Sequence, residues 1–370
     1  MQIYLDNAAT TQIDEKVLSI LNKSLKEDFG NTSSIHKKGK EAKEKLEQAR
    51  KEIAKTLNAE PEEIIFTSGA TEANNLAIKG ILKASKKKDI IISTIEHVSI
   101  KNLCEELQKE GYTIHKIPVD KDGFVQINEL KKKLNEKIAI ISFIHANNET
   151  GVIQDIQKIA ELCAQKNIPF HTDAVQSYKK IPLDLKKIKL TVISISAHKI
   201  HGPKGIGVLY IRKGTKIKAL FNGGKQEHGL RPGTENLPYI RAFAAAAQLP
   251  YPSKQIDKKK TYLIKKLKEI LNIKINTPEK SICNVVNLSI KGVNGETLVR
   301  HLSEQGIYIS TGSACSSGTI EASHVLKAMG LTEEQARSSI RVSLSKNTTK
   351  KEIDETIKHL KSIVPILRNI

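Results

Sequence analysis

Ile138 to Ile144 form an almost unbroken apolar run, interrupted only by Ser142. A run of this kind suits a strand buried on both faces, as in the middle of a parallel sheet. Ile64-Ile65-Phe66-Thr67, Ile90-Ile91-Ile92, Leu190 to Ser196 and Val208 to Ile211 read as further strands. Between them lie segments of helical period. Ala42, Leu46, Ala49, Ile53 and Leu57 recur at spacings of three and four. Ile100, Leu103, Cys104 and Leu107 share one helix face, and Ile156, Ile159, Ala160 and Cys163 another. Strands alternating with helices predict an α/β domain.

The apolar runs end in polar residues, where ligands bind in open α/β sheets. Ser68-Gly69-Ala70-Thr71 opens a helix. Free N–H groups and the helix dipole make such a start an anion site, although an ordinary capped helix reads the same way. No Gly-Lys-Ser/Thr follows, so it is not a Walker loop. Glu96-His97, Asn147-Asn148-Glu149 and Asp173-Ala174-Val175-Gln176 close other runs. Ser196-Ala197-His198-Lys199 ends the strand from Leu190, ahead of Gly202-Pro203-Lys204-Gly205. A lysine fixed there, beside a hydroxyl and an imidazole, suits Schiff-base chemistry. A solvated turn lysine is the plainer reading of the same stretch.

Beyond a polar, Gly-rich stretch from Phe221 to Pro238, Pro250 and Pro252 mark a boundary. The remainder reads as an α+β domain: a Lys-rich helix, a strand over Val285 to Ile290, a helix around Thr297 to Leu302 and a C-terminal helix. Residues 13–252 are expected to form the large domain, with 1–12 and 253–370 forming the small one. Arg341 alternates into an apolar strand, Ser338 to Leu344. Cys315 sits among Gly312, Ser313, Ala314, Ser316, Ser317 and Gly318, a stretch too small and polar to build a core. An accessible, mobile nucleophile fits it better than a structural thiol. Cys104 and Cys163 lie on apolar helix faces and read as core. The four cysteines form no CxxC pair, which points to neither a zinc site nor a disulfide framework.

The net charge of +20 admits nucleic acid or an acidic partner. The lysines, however, are spread along helical segments as solvated faces, and aromatics are only 4% with no Trp. No stable nucleic-acid binding is therefore expected. No apolar run spans a bilayer. The first residues lack a basic start and an apolar core, so no signal peptide and a cytoplasmic location are expected.

Eight motifs, in order along essentially the whole chain, resemble the cysteine desulfurases, pyridoxal-5′-phosphate (PLP) enzymes of the class V aminotransferase family. They are Leu5-Asp6-Asn7-Ala8-Ala9-Thr10-Thr11, Thr67 to Glu72, Glu96-His97, Asn147-Asn148-Glu149, His171 to Gln176, Ser196 to Lys199, Arg231-Pro232-Gly233-Thr234 and Gly312-Ser313-Ala314-Cys315. The resemblance implies a large PLP-binding domain with a mainly parallel seven-stranded sheet flanked by helices, plus a smaller α+β domain. It makes Lys199 the Schiff-base lysine and Asp173 the partner of the ring nitrogen. Gln176 would bond the ring's phenolate oxygen, with Asn148 close by for cofactor and substrate. His97 would stack on the ring and move protons. Ala70, Thr71, Ser196 and His198 would hold the phosphate, joined by Thr234 from the second subunit of a homodimer. Arg341 would clamp the substrate carboxylate. Taken alone, Asp173 also reads as an N-cap, His97 as a surface histidine and Arg341 as an ordinary ion-pair residue.

The implied reaction converts L-cysteine to L-alanine, with Cys315 receiving the sulfur as a persulfide. The stretch from Cys315 to His324 resembles the long-loop group serving iron–sulfur cluster assembly. The implied acceptors are a cluster scaffold protein or a tRNA-thiolation relay, and Cys315 is a candidate transient cluster ligand. Thr32 and Ser345 depart from the family's usual Pro and Gly. A selenocysteine lyase, an aminotransferase and a basic scaffold that has lost its chemistry are the competing readings; intact Lys199, Asp173, His97, Arg341 and Cys315 argue against the last.

Overall fold

The computed structural model describes residues 2–311 and 322–368. Cys315 and the expected mobile nucleophile segment lie outside the described residues. Among the described residues no helix is long and apolar enough to cross a membrane.

Seven strands form the main sheet: β1 (Ile64–Thr67), β2 (Asp89–Ser93), β3 (Thr113–Ile117), β4 (Ile138–Ile144), β5 (Phe170–Asp173), β6 (Val192–Ser196) and β7 (Gly207–Ile211). Their order is β1-β7-β6-β5-β4-β2-β3. The pairs from β6 through β5, β4 and β2 to β3 are parallel, and β7 is antiparallel to both neighbours. All seven β4 residues are buried, as its apolar run requires. Strand β3, Thr-Ile-His-Lys-Ile, was not among the strands expected from the sequence. It lies at the sheet edge and alternates polar residues with two isoleucines, so it lacks the continuous apolar signature of the central strands.

Helices cover both faces. Ala70–Ala84 and Val98–Lys109 bury Leu76, Ile81, Ile100 and Leu103 against Ile90, Ile92 and Ile140 on one side. Lys37–Leu57, Ile156–Gln165 and Leu237–Gln248 cover Ile91, Ile141 and Phe143 on the other. A separate core forms around the antiparallel strands β8 (Ile273–Ile275), β9 (Val285–Ile290) and β10 (Ser339–Ser343), in the order β10-β9-β8. Ile3 and Leu5 belong to this second core, and Ile3–Tyr4 pairs in parallel with Ile307–Tyr308. The chain therefore starts in the second core, then crosses to the first. That crossing lays residues 6–11 over the C-terminal ends of β5 and β6: Gln176 Nε2 donates to the Ala8 carbonyl at 2.8 Å, and Thr11 Oγ1 donates to the His198 carbonyl at 2.8 Å.

Candidate active site

A cavity of about 610 Å³ opens at the C-terminal ends of the parallel strands. Ala70, Thr71, His97, Asn148, Asp173, Gln176, Ser196, His198, Lys199 and Arg341 all line it. These residues lie hundreds of positions apart in sequence, yet the sheet brings their carriers side by side. Thr234 does not line the cavity of its own chain.

Lys199 follows β6 in a short 3-10 turn, Ala197–Lys199. Its Nζ donates to the carbonyls of Ala8 and Ala9 at 2.7 and 2.6 Å. Burial pushes its pKa down to about 7, and the nearby charges of Arg341 and Lys180 push the same way. An amine so placed is about half in its nucleophilic, neutral form at neutral pH.

Asp173 ends β5. Its Oδ2 accepts from Asn74 Nδ2 at 3.0 Å and its Oδ1 from the Val175 N–H at 3.0 Å. The Asn74 amide also donates to Ser99 Oγ at 3.0 Å. A carboxylate with two fixed donors keeps its orientation. Its N–H partner lies two residues downstream, a local Asx-type bond, and no helix starts after Asp173, so the N-cap that Asp173 reads as when taken alone is not what the fold makes of it.

His97 caps the helix Val98–Lys109. The Ser99 N–H donates to His97 Nδ1 at 3.2 Å, so in the neutral ring Nε2 carries the proton. Burial lowers its pKa and holds the ring neutral, while Asp173 opposes that shift. His198 is lowered further, to about 3, by burial and by Lys199. Its Nδ1 lies 3.2 Å from Thr10 Oγ1.

Gly69-Ala70-Thr71 lines one side of the cavity at the start of a helix of 15 residues. β7 runs close beneath it. A Cβ on Gly207 would come within 2.8 Å of Gly69 Cα, so only glycine fits there. Lys204 and Gly205 complete that side.

Arg341 reaches the cavity from β10. Nη2 lies 2.8 Å from Asp6 Oδ1 and Nη1 donates to the Asn148 carbonyl at 3.0 Å. Among the described residues its buried Nε has no partner. The ion-pair reading of Arg341 and its cavity position thus hold together.

Several cavity residues carried no role in the sequence reading. Glu96 lines the cavity and is fully buried. Its carboxyl accepts from Ser93 Oγ and, at 3.0 Å, from the Ile144 N–H. Burial raises its pKa to about 8 against those hydrogen bonds, with Asp173 adding to the rise. His324 also lines the cavity, its Nε2 2.9 Å from the Glu96 carbonyl. Ser323 Oγ donates to Glu149 Oε2 at 2.5 Å. Glu96 and Glu149 stand inside quoted motifs, so their importance was legible but their partners were not. His324 closes the stretch that resembles the long-loop group, but no sequence signal assigned it a role of its own.

The donor set fits PLP. A buried, deprotonation-prone amine, a fixed carboxylate, a donor amide and a helix N-terminus surround one cavity of adequate size.

The model of the aminotransferase class-V family matches residues 3–356, and the chain belongs to that family. Cysteine desulfurase IscS of Dictyoglomus turgidum is 44% identical over 378 residues, covering 100% of this chain and 96% of its own. Cysteine desulfurase NifS of Azotobacter vinelandii is 38% identical, covering 100% and 94%. A solved NifS-like protein superposes with a TM-score of 0.93 at 38% identity, covering 99% of this chain and 100% of that one. Within its family, the chain groups with the cysteine desulfurases.

Proposed function

We propose that this chain converts L-cysteine to L-alanine with PLP, and that Cys315 takes the sulfur as a persulfide for acceptors that assemble iron–sulfur clusters. The observation that carries the proposal is the convergence of Lys199, Asp173, His97 and Arg341, from four separate elements, on one cavity. A relay to tRNA thiolation is a second outlet for the same persulfide, and the protein works in the cytoplasm. A division into 13–252 and 1–12 with 253–370 follows the two cores except at Val325, Leu326, Met329, Leu331 and Ala336, which pack in the first core.

When bound, PLP draws electrons away from the Cα of an amino acid attached to it. Lys199 would anchor the cofactor and then take the Cα proton. Asp173 would keep the ring nitrogen protonated. Gln176 would donate to the ring oxygen, with Asn148 serving both ring and substrate. His97 would stack on the ring and supply a proton from Nε2. Ala70 and Thr71 would hold the phosphate through their N–H groups, with the Thr71 hydroxyl, Ser196 and His198, joined by Thr234 from the second subunit of a homodimer. Arg341 turns its fork to the substrate carboxylate. The Cys315 thiolate then bonds to the substrate sulfur. The C–S electron pair stays with carbon, which is protonated to give alanine.

Alanine release from L-cysteine by the PLP-loaded chain, with a thiol present, tests this reading. Equal alanine and sulfide are expected, with loss of both in Lys199→Ala. Absence of alanine from the loaded chain would overturn it.

A further inference from the structure

Lys180 is an ammonium with little reason to be buried. It is only 6% exposed, in the turn after β5. Residues 174–181 wind through that turn on the Ser177 and Tyr178 N–H bonds to the Ala174 carbonyl and the Lys180 and Ile181 N–H bonds to the Ser177 carbonyl. Lys179 enters the left-handed region, at φ 65°, to complete it. That conformation is uncommon for a residue with a long side chain, so the surroundings must enforce it. From the second core, Ser253 Oγ donates to the Lys180 carbonyl at 2.9 Å. The turn is thus held at both its backbone and its tip.

Among the described residues, Lys180 forms no ion pair. Its Nζ donates to Gln176 Oε1 at 3.1 Å and lies 6.0 Å from the Tyr251 ring. Burial lowers its pKa to about 8. Burying an ammonium without a carboxylate costs stability, so the contact it makes needs a purpose.

That purpose follows from the chemistry of an amide. A carboxamide has one accepting and one donating end, and an ammonium only donates. With Nζ at Oε1, the Gln176 amide cannot flip without setting its NH₂ against a donor. Nε2 is therefore fixed on the cavity side, where it donates to the Ala8 carbonyl at 2.8 Å. Lys199 Nζ donates to the same carbonyl at 2.7 Å. Ala8 is thus the shared acceptor where the locked amide and the reacting amine meet.

We infer that Lys180 is a positioning residue for the desulfurase reaction: it locks the Gln176 amide as a hydrogen-bond donor toward an anionic oxygen beside Lys199. The inference rests on the PLP reading above. Lys180 also places a second positive charge near the reacting amine, along with Arg341.

The test is the visible-absorbance pH titration of the PLP-loaded protein, in wild type, Lys180→Met, Gln176→Leu and the double variant. Loss of a donor to an anionic oxygen favours the protonated chromophore, so the midpoint rises. Each single variant is expected to raise it by about one pH unit, the scale of one hydrogen bond to a charged group. Acting through one amide, the two changes fall well short of adding in the double variant. Lys180→Gln, uncharged but still able to donate, shows a smaller rise and serves if the Met variant fails to fold. An unshifted midpoint in the Lys180 variants, or full additivity, overturns the inference even if alanine is still produced. A wild-type chain that takes up no PLP overturns the reading beneath it as well.

Discussion

Arg341 and Asp6 face each other with Nη2 2.8 Å from Oδ1, and Arg341 is 3% exposed. Asp6 comes from the segment that crosses between the two cores, and Arg341 from the central part of β10. The Asp6 pair and the Asn148 carbonyl therefore hold the guanidinium at the cavity before any substrate arrives.

Replacing Arg341 by Lys keeps the charge but removes the planar fork. The KM for L-cysteine should rise about ten- to a hundredfold, the value of a charge-assisted hydrogen bond, with a smaller change in kcat. Steady-state alanine kinetics check this. An unchanged KM would mean that the carboxylate is held elsewhere.

Lys199 should react with PLP as a neutral amine. Because burial lowers its pKa to about 7, the uptake rate of the cofactor-free chain should rise with pH to a half-point near there and then level off. Stopped-flow absorbance across neutral to alkaline pH measures this. A rate that keeps climbing toward the ordinary lysine range would contradict the burial argument.

Glu96 should reveal itself in stability. Unfolded, it titrates near 4.5; folded, near 8. Between those values the native state binds the extra proton, so stability falls as pH rises and levels off above the folded value. Glu96→Gln lacks this loss. Its Tm relative to wild type should climb from about pH 5 to about pH 8 and then stay flat. A constant difference would show that Glu96 is ionised in the fold throughout.

Arg50 and Glu227 form a buried two-point pair, Nη1 to Oε2 and Nη2 to Oε1, both at 2.8 Å. Glu227 Oε2 also accepts from the Phe66 N–H at 2.7 Å, which ties the stretch before Thr234 to β1. Glu227→Ala strips the buried Arg50 of its two-point partner, leaving only Glu47 beside Nε at 3.3 Å and the Ile64 carbonyl at Nη1, and should cost about 3 kcal/mol in chemical denaturation. A loss below about 1 kcal/mol would give the pair no more than surface value.

The central strands were legible because burial on both faces leaves an unbroken apolar run, as in Ile138 to Ile144. The edge strand Thr113–Ile117 was not, since one edge and one face meet solvent and the run loses its pattern. At the site the motifs picked out Lys199, Asp173 and His97. Their supports were hidden, because Asn74 reaches Asp173 from a helix 99 positions away and Ala8 reaches Lys199 across 191. Hydrogen bonds at such separations leave no periodic trace in a single sequence. Lys180 was masked differently: among 60 Lys and Arg residues, one buried lysine looks like all the exposed ones.

The central claim is that Cys315 carries the sulfur. Intact-protein mass spectrometry of the PLP-loaded chain after L-cysteine, without reductant, followed by peptide mapping, tests it most directly. One added sulfur on the Cys315 peptide, removed by a thiol and absent in Cys315→Ala, is the expected result. Alanine formed with no sulfur retained on Cys315 would contradict the persulfide route and leave a lyase in its place.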